Sequence, residues 1–369
     1  MLAVQVAPRS ALSVFIWSRV AIWGLAVASV TLLEDRLNPS RAAWDEPRLH
    51  GGGAVVEVLA RWDSAWLLRI AEEGYDWPSA TPAFFPLYPL AVGALGRVLA
   101  GHYVVAGATI ALAAGGGAFA CLYRLAAHHL GSEGAFRTVL FLAVTPMSLF
   151  LGVAYGESLF LLLAVACFLA AEERRLGAAA ALAGLALLTR PQGVALLAPL
   201  AIFAWQQRSS LRRVAAVTLA PVIVFLAYPL ALWAWIGRPL AFLDAQGQWD
   251  RQLSSLGPLG GMVSAAGAGE LVELAFAVAA SALAVVAWRR FGPAYGAYAL
   301  GVIAIAASAP SARLGGLYSF PRLALVAFPC FMALAVVASS RRATIAVASG
   351  SAALLAVYVV RWSLWYWVS

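Results

Sequence analysis

Four short stretches of the sequence combine carboxylates, arginines, amides and aromatic rings, the groups that handle a sugar attached to a phosphate. A carboxylate can accept a proton from a hydroxyl, and an arginine can bind phosphate through two parallel N–H groups. An aromatic ring offers a platform for the sugar. The stretches are Arg61-Trp62-Asp63, Tyr155-Gly156-Glu157-Ser158, Thr189-Arg190-Pro191-Gln192-Gly193, and Gln246, Trp249, Asp250 and Arg251 together with Arg322.

Each stretch also has a purely structural explanation. Glu157 can balance the dipole at the start of a helix, and Arg190 before proline can simply end one. Trp249 can belong to the aromatic belt at a membrane surface. Asp63 can form a structural ion pair with a neighbouring arginine. No stretch is diagnostic alone, so the elements that carry them must decide between the explanations.

The composition places these stretches in a membrane protein. Hydrophobic residues make up 63% and charged residues 11% of 369 residues, with a mean hydropathy of +0.85, which excludes a soluble globular protein. The net charge is +8, and all 25 basic residues are arginines. Because they are scattered through loops between apolar runs, they predict membrane topology and no nucleic-acid partner. The cysteines lie far apart inside apolar runs and predict neither a disulfide nor a metal site.

The apolar runs predict an all-α polytopic protein with about eleven transmembrane helices, in a single integral membrane domain over residues 1–369. The first run, from Ser10 to Leu33, holds Arg19, a charge that either snorkels to the surface or has a function. Residues 34–101 form a predicted long first outer loop with interfacial helices, and residues 237–269 form a second outer loop. The other runs are expected near residues 102–126, 138–153, 157–171, 176–189, 192–205, 214–236, 270–288, 294–309, 322–338 and 343–360.

Arginine doublets predict which side of the membrane each loop faces. They occupy alternate short loops, and loops of that kind stay in the cytoplasm together with the N-terminus. The remaining loops and the tail 361–369 then face outward, and they contain all four stretches. We therefore expect a multi-pass plasma-membrane protein that acts at the outer face. The doublets are Arg174-Arg175, Arg212-Arg213, Arg289-Arg290 and Arg341-Arg342.

The stretch of residues 61–89 lies in the first outer loop, which holds nine of the 17 acidic residues. Apolar residues at intervals of three and four predict an amphipathic interfacial helix, with Asp63 at the border of its faces and Arg61 and Ser64 on the polar side. Prolines then exclude a regular helix in the second half. The apolar face is Val55, Leu59, Trp62, Trp66 and Ile70, and the prolines are Pro78, Pro82, Pro86 and Pro89.

The same residues resemble a known family. Trp62-Asp63, Ile70-Ala71, Gly74-Tyr75 and the run from Ala83 to Pro89 are similar to the first-loop motif of PIG-V-like glycosyltransferases, the GPI mannosyltransferase II family within the GT-C class. Later matches follow in the right order. They are Ala154 to Phe160, then Arg190 with Gly193, then Gln246, Trp249 and Arg251 as in bacterial-type members, and finally Arg322 to Pro329.

The resemblance implies a GT-C fold and transfer of mannose, or a related sugar, from a polyprenyl-phosphate carrier to a lipid or glycan acceptor. The Trp-Asp pair of the family corresponds to Trp62 and Asp63, and we assign Asp63 as the catalytic base. The absence of a Gly-rich phosphate loop argues against a nucleotide-sugar donor. The predicted substrate-binding residues are Arg61, Trp62, Tyr88, Glu157, Arg190, Gln246, Trp249, Arg251 and Arg322.

We predict no resident cofactor, because the outer loops contain no HxxH, clustered cysteines or DxD, although a phosphate donor can recruit a divalent metal. Two other functions stay open at this point. A transporter or flippase of the lipid-linked sugar would share the polytopic architecture, but the sequence has no internal repeat. A non-catalytic assembly partner would share the motifs, but would not need Asp63.

Overall fold

The computed structural model describes residues 3–50 and 52–368, and the side chains from residue 11 onward. The described residues form helices and no named β-strand, which confirms the all-α class. In chain order the α-helices are α1 Ala3–Leu32, α2 Ala54–Glu57, α3 Ser64–Glu73, α4 Leu87–Val98, α5 Tyr103–Val144, α6 Glu157–Glu172, α7 Leu176–Leu187, α8 Leu197–Gln206, α9 Leu211–Phe225, α10 Ala227–Ile236, α11 Ala241–Asp244, α12 Pro258–Ala268, α13 Leu271–Phe291, α14 Pro293–Ala307, α15 Phe320–Ala324, α16 Phe328–Val337 and α17 Arg341–Ser363.

Several of these helices are long and apolar enough to cross a bilayer, so the chain is a multi-pass membrane protein. Within the described residues, five stretches meet that condition, and α4, α7, α14 and α16 are shorter apolar helices. The count of eleven spans remains a prediction. The five stretches are Ala11–Leu32, Tyr103–Val144, Leu211–Ile236, Leu271–Phe291 and Arg341–Ser363.

Two predicted boundaries differ from the structure. The polar segment expected between residues 126 and 138 is helical, and α5 continues through it with a single break at Gly131, whose φ is 69°. Glycine adopts this left-handed conformation without the clash that a Cβ would cause. The predicted run 214–236 is two helices, α9 and α10, that meet at Leu226.

The predicted interfacial helix through Trp62 is wrong as a continuous helix. Helix α2 ends at Glu57 and α3 begins at Ser64, and Trp62 between them has a φ of 53°. A left-handed residue cannot continue a right-handed helix, so the chain must break there. The expected polar residues Arg61 and Ser64 are buried instead of facing water.

The prolines behave as predicted except at the last one. Pro78, Pro82 and Pro86 lie outside the α-helices, and Pro82 is part of the 3-10 turn Thr81–Ala83. Pro89, however, is the third residue of α4. Its missing N–H costs little there, because the first N–H groups of a helix have no acceptor within it.

The chain forms two compact units. The first contains the chain up to Gly74, Pro86–Leu162 and Ala335–Val368, and the second contains Tyr75–Phe85 and Leu163–Leu334. In the first unit, α1 packs against α5 and α17, and α3 and α5 pack against α4. In the second, α14 packs against α13 and α8, while α9 packs against α7 and α8. The core of the second unit includes rings of Phe168, Tyr295, Tyr298 and Phe328.

Candidate functional site

The turn between α2 and α3 carries the predicted base, and a tyrosine from another loop holds it. The Tyr155 hydroxyl donates to the Arg61 carbonyl and accepts from the Asp63 N–H, both at 3.1 Å. One hydroxyl therefore ties the backbone on each side of Trp62, whose φ of 53° is unfavourable for a bulky residue. Ser64 adds a bond from its Oγ to the Ala154 carbonyl at 3.2 Å. The turn is fixed by contacts distant in sequence.

Asp63 occupies the position just before α3. Its side chain is 6% exposed and makes no capping hydrogen bond to the helix, while its carbonyl accepts the Leu67 N–H at 3.2 Å. The positive end of the α3 dipole favours a negative charge at this point. The structure thus places a buried carboxylate on a fixed turn, which is a suitable position for a general base.

Arg61 is bound mainly by backbone carbonyls. Its Nη1 donates to the carbonyls of Glu57 and Ala60, and its guanidinium carbon lies 4.6 Å from the ring centre of Trp365. Burial lowers the pKa of Arg61 to about 10, so the side chain still carries its charge at neutral pH. Its Nε has no hydrogen-bond partner among the described residues. A role in substrate binding remains a prediction, but much of this side chain is already used to hold the turn.

Trp62 lies in a cluster of tryptophans. Its ring centre is 5.5 Å from that of Trp44, 5.8 Å from that of Trp365 and 5.2 Å from that of Trp367. The C-terminal tail that brings two of these rings is held by Asn38, whose Nδ2 donates to the Trp365 carbonyl at 3.0 Å. The indole N–H of Trp62 has no acceptor in the described part of the chain. It is a buried donor.

Two more predicted residues lie in the first unit. Glu157 begins α6 and is 1% exposed, a position that also fits the structural explanation of a charge at a helix N-terminus. The Tyr88 hydroxyl donates to the Gly107 carbonyl at 2.9 Å. Both side chains are enclosed by protein.

In the second unit, Arg190 has an extended backbone just before the 3-10 helix Pro191–Leu196, so it ends the segment that follows α7. Its Nε lies 3.4 Å from Oε1 of Gln192, which is buried. A Cβ at Gly193 would collide with the backbone of Leu187. This close approach explains why glycine is needed there.

The remaining predicted residues lie in short helices and a loop of the same unit. Nη2 of Arg251 donates to the Tyr318 carbonyl at 3.0 Å, and its guanidinium carbon lies 5.7 Å from the Tyr318 ring centre. Arg251 also forms an isolated bridge with Ser311. The half-buried Trp249 contacts Phe84 edge-on, with ring centres 5.7 Å apart. The Gln246 carbonyl accepts the Arg251 N–H at 3.4 Å. Arg322, in α15, is buried and lies four residues after Tyr318.

A family model matches the part of the chain that contains the Trp62 turn, Glu157 and Arg190. Residues 52–207 match the model described as Mannosyltransferase (PIG-V). This part of the chain is similar to the PIG-V mannosyltransferase family. The match confirms the resemblance found in the sequence and agrees with the predicted class of membrane glycosyltransferase.

Other comparisons add little. No protein with a curated description matches this chain. A solved structure of an oligosaccharyltransferase from Archaeoglobus fulgidus, tethered with an acceptor peptide, is similar with 14% identity and a TM-score of 0.43. The similarity covers 95% of this chain and 55% of that one. The chain therefore spans about half the length of that protein.

The PIG-V region contains Asp63 and five of the predicted binding residues, namely Arg61, Trp62, Tyr88, Glu157 and Arg190. The binding residues Gln246, Trp249, Arg251 and Arg322 lie beyond it. Sequence reasoning missed Tyr155 as the residue that holds the turn, although it stands in a recognised motif. It also missed Trp365, and the signal available was the cluster of aromatic residues at the C-terminus.

Proposed function

We propose that this protein transfers mannose, or a related sugar, from a polyprenyl-phosphate donor to a lipid or glycan acceptor at the outer face of the plasma membrane. The observation that carries the proposal is the turn at Trp62. A strained left-handed residue is held by both flanking backbone groups, and the next residue is a buried carboxylate. Strain of this kind persists only where the surroundings enforce it, and it concentrates at functional sites.

The reaction needs one proton acceptor and a stabilised leaving group. The acceptor hydroxyl loses its proton to Asp63 as its oxygen bonds to the anomeric carbon of the sugar. The bond from that carbon to the phosphate oxygen breaks, and its electron pair stays on the polyprenyl phosphate. Because phosphate is a weak base, it leaves without protonation if its charge is balanced. In the proposal, arginine side chains supply that balance.

A substitution of the base gives the first test. We expect Asp63→Asn to lower sugar transfer at least about a hundredfold, the low end of what a positioned base contributes. Expression and melting temperature should change little, because asparagine has nearly the same size and shape as aspartate and can still accept hydrogen bonds at this position. Transfer is measured with purified protein, radiolabelled polyprenyl-phosphate mannose and a membrane-lipid acceptor pool.

Glu157→Gln is the matched control, since Glu157 is the other buried carboxylate in a predicted outer motif. Activity retained in Asp63→Asn but lost in Glu157→Gln would move the base to Glu157. Activity retained in both would contradict the enzyme proposal and favour a transporter or an assembly partner.

A second test concerns the donor. Arg251→Lys and Arg322→Lys keep the charge but lose the planar fork that binds phosphate through two N–H groups, so we expect a higher KM for the lipid-linked donor. Arg313→Lys is the control, because Arg313 is an exposed arginine of the same unit that the prediction does not use. Efficient transfer from a soluble nucleotide sugar, without any lipid intermediate, would refute the proposed donor.

A further inference from the structure

The first unit contains a cavity of about 230 Å³ that the mechanism does not use. Its walls are almost entirely apolar and come from α1, the segment before the Trp62 turn, α5, the segment after α5, and α17. Val20, Trp23 and Leu112 line it and are also exposed on membrane-spanning helices, so the cavity opens toward the hydrocarbon of the bilayer. A cavity of this kind binds a hydrocarbon chain better than a polar molecule.

Arg19 is the charged residue in the cavity wall. It donates to the carbonyls of Ser148 and Ala143 and to the Ser148 hydroxyl, the last two at 3.2 Å. These partners are neutral, and Arg19 forms no ion pair with the described side chains. A buried charge without a counter-ion is expensive in a membrane, and an anion nearby lowers that cost. The cavity therefore favours an anionic lipid over a neutral one.

The cavity is continuous with the segment that carries Asp63. Its wall includes Val58 and Leu59, which precede the Trp62 turn directly. The Leu59 carbonyl accepts the Ala154 N–H at 2.8 Å, and the Val58 carbonyl accepts the Trp362 indole N–H at 3.1 Å. A lipid chain in this cavity lies beside the segment that leads to the turn. A binding site at this position suits a lipid whose headgroup reacts there.

We infer that this cavity binds the isoprenoid chain of an anionic lipid, the polyprenyl-phosphate part of the sugar donor. The identity of the lipid rests on the proposed function. The preference for an apolar chain rests on the cavity wall, and the preference for an anionic headgroup rests on Arg19. Binding is stabilised by van der Waals contacts between the isoprenoid chain and the apolar wall, and by attraction between the anionic headgroup and Arg19.

Two isoleucines of α1 give a matched test. Ile22 lines the cavity and is half-buried, whereas Ile16 does not line it and is 47% exposed. We expect Ile22→Trp to fill the cavity and raise the KM for long-chain polyprenyl-phosphate mannose at least about tenfold, with kcat unchanged. Ile16→Trp should behave as the wild type. Equal KM values in Ile22→Trp and the wild type would overturn the inference.

A binding experiment on the wild type keeps the inference testable if Ile22→Trp does not fold. A polyprenyl phosphate carrying a diazirine near its headgroup is photo-crosslinked to the purified protein, and the labelled peptides are mapped by mass spectrometry. We expect labels on the cavity residues, including Val58 and Leu59 before the turn. Unlabelled polyprenyl phosphate should compete strongly, and the uncharged polyprenol weakly.

Equal competition by phosphatidylglycerol would mean that the cavity holds bulk lipid, and labels spread evenly over the outer surface of the helices would mean that it holds none. Equal competition by the polyprenol would remove the role of Arg19. Each of these results overturns the inference. Specific labelling without transfer of any sugar would instead leave the cavity assignment standing and contradict the proposed function.

Discussion

At the scale of single residues, the Tyr155 hydroxyl is the group on which the position of Asp63 depends. Tyr155→Phe removes both hydrogen bonds that flank Trp62, so the left-handed turn can relax and the carboxylate can move. We expect kcat to fall about tenfold, the effect of losing one or two hydrogen bonds in the transition state, while the KM for the donor stays constant. Steady-state kinetics with a lipid-linked sugar measure both.

Tyr298→Phe is the control for Tyr155→Phe. Tyr298 is equally buried and its hydroxyl also donates to a backbone carbonyl, that of Val326 at 3.0 Å. Both variants should lose about 1 kcal/mol of stability. A similar fall of kcat in both would mean that Tyr155 acts only through stability and does not position Asp63.

The residue types at the turn could be predicted from the sequence, but its conformation could not. Trp62 and Asp63 stand out as an aromatic and a carboxylate in an acidic loop. Nothing local requires a tryptophan to adopt a positive φ, which is normally left to glycine or asparagine. The cause lies in Tyr155 and the tail, and contacts distant in sequence leave no periodic pattern to read.

At the scale of elements, the C-terminal tail after α17 is part of the candidate site. Trp365 is 3% exposed and packs on both Trp62 and Arg61, whereas its neighbour Tyr366 is 36% exposed. Trp365→Ala should cost about 3–5 kcal/mol of stability, as truncation of a buried aromatic ring does. We expect a clear drop of melting temperature in detergent and a loss of transfer activity.

Tyr366→Ala is the adjacent control and should melt within a few degrees of the wild type. A Trp365→Ala variant that melts and reacts like Tyr366→Ala would show that the tail does not support the turn.

Helix existence was easier to predict than helix ends. The apolar runs found α6, α7, α13, α14 and α17 to within a few residues. The predicted helix bounds are wrong where the backbone breaks a helix inside a predicted run, or where a helix continues past the end of one. Gly131 breaks α5 inside a polar segment that is otherwise helical, and the left-handed Trp62 separates α2 from α3. Hydrophobic periodicity reports which face is buried, but not where a backbone turns.

At the scale of the whole molecule, the predicted orientation can be tested by labelling. Cysteines introduced at positions 175, 212 and 341 should react with a membrane-impermeant thiol reagent only from the cytoplasm, because arginine doublets mark loops retained there. A cysteine at position 366 should react from outside. The hydrogen bond from Asn38 to the Trp365 carbonyl joins the tail to the segment after α1, so both should be labelled from the same side.

Labelling of any two of positions 175, 212 and 341 from the outside would refute the orientation. The placement of the Trp62 turn at the outer face would then be refuted as well.

The bond between Trp362 and Val58 joins residues 304 positions apart, which sets an order of events during synthesis. At roughly 5–20 residues per second, the ribosome makes Trp362 between about 15 and 60 seconds after Val58. During that interval the Trp62 turn lacks its aromatic neighbours Trp365 and Trp367 from the tail. A newly inserted chain therefore cannot complete the candidate site until α17 and the segment after it have been made, and products terminated before α17 would enter the membrane without a complete site.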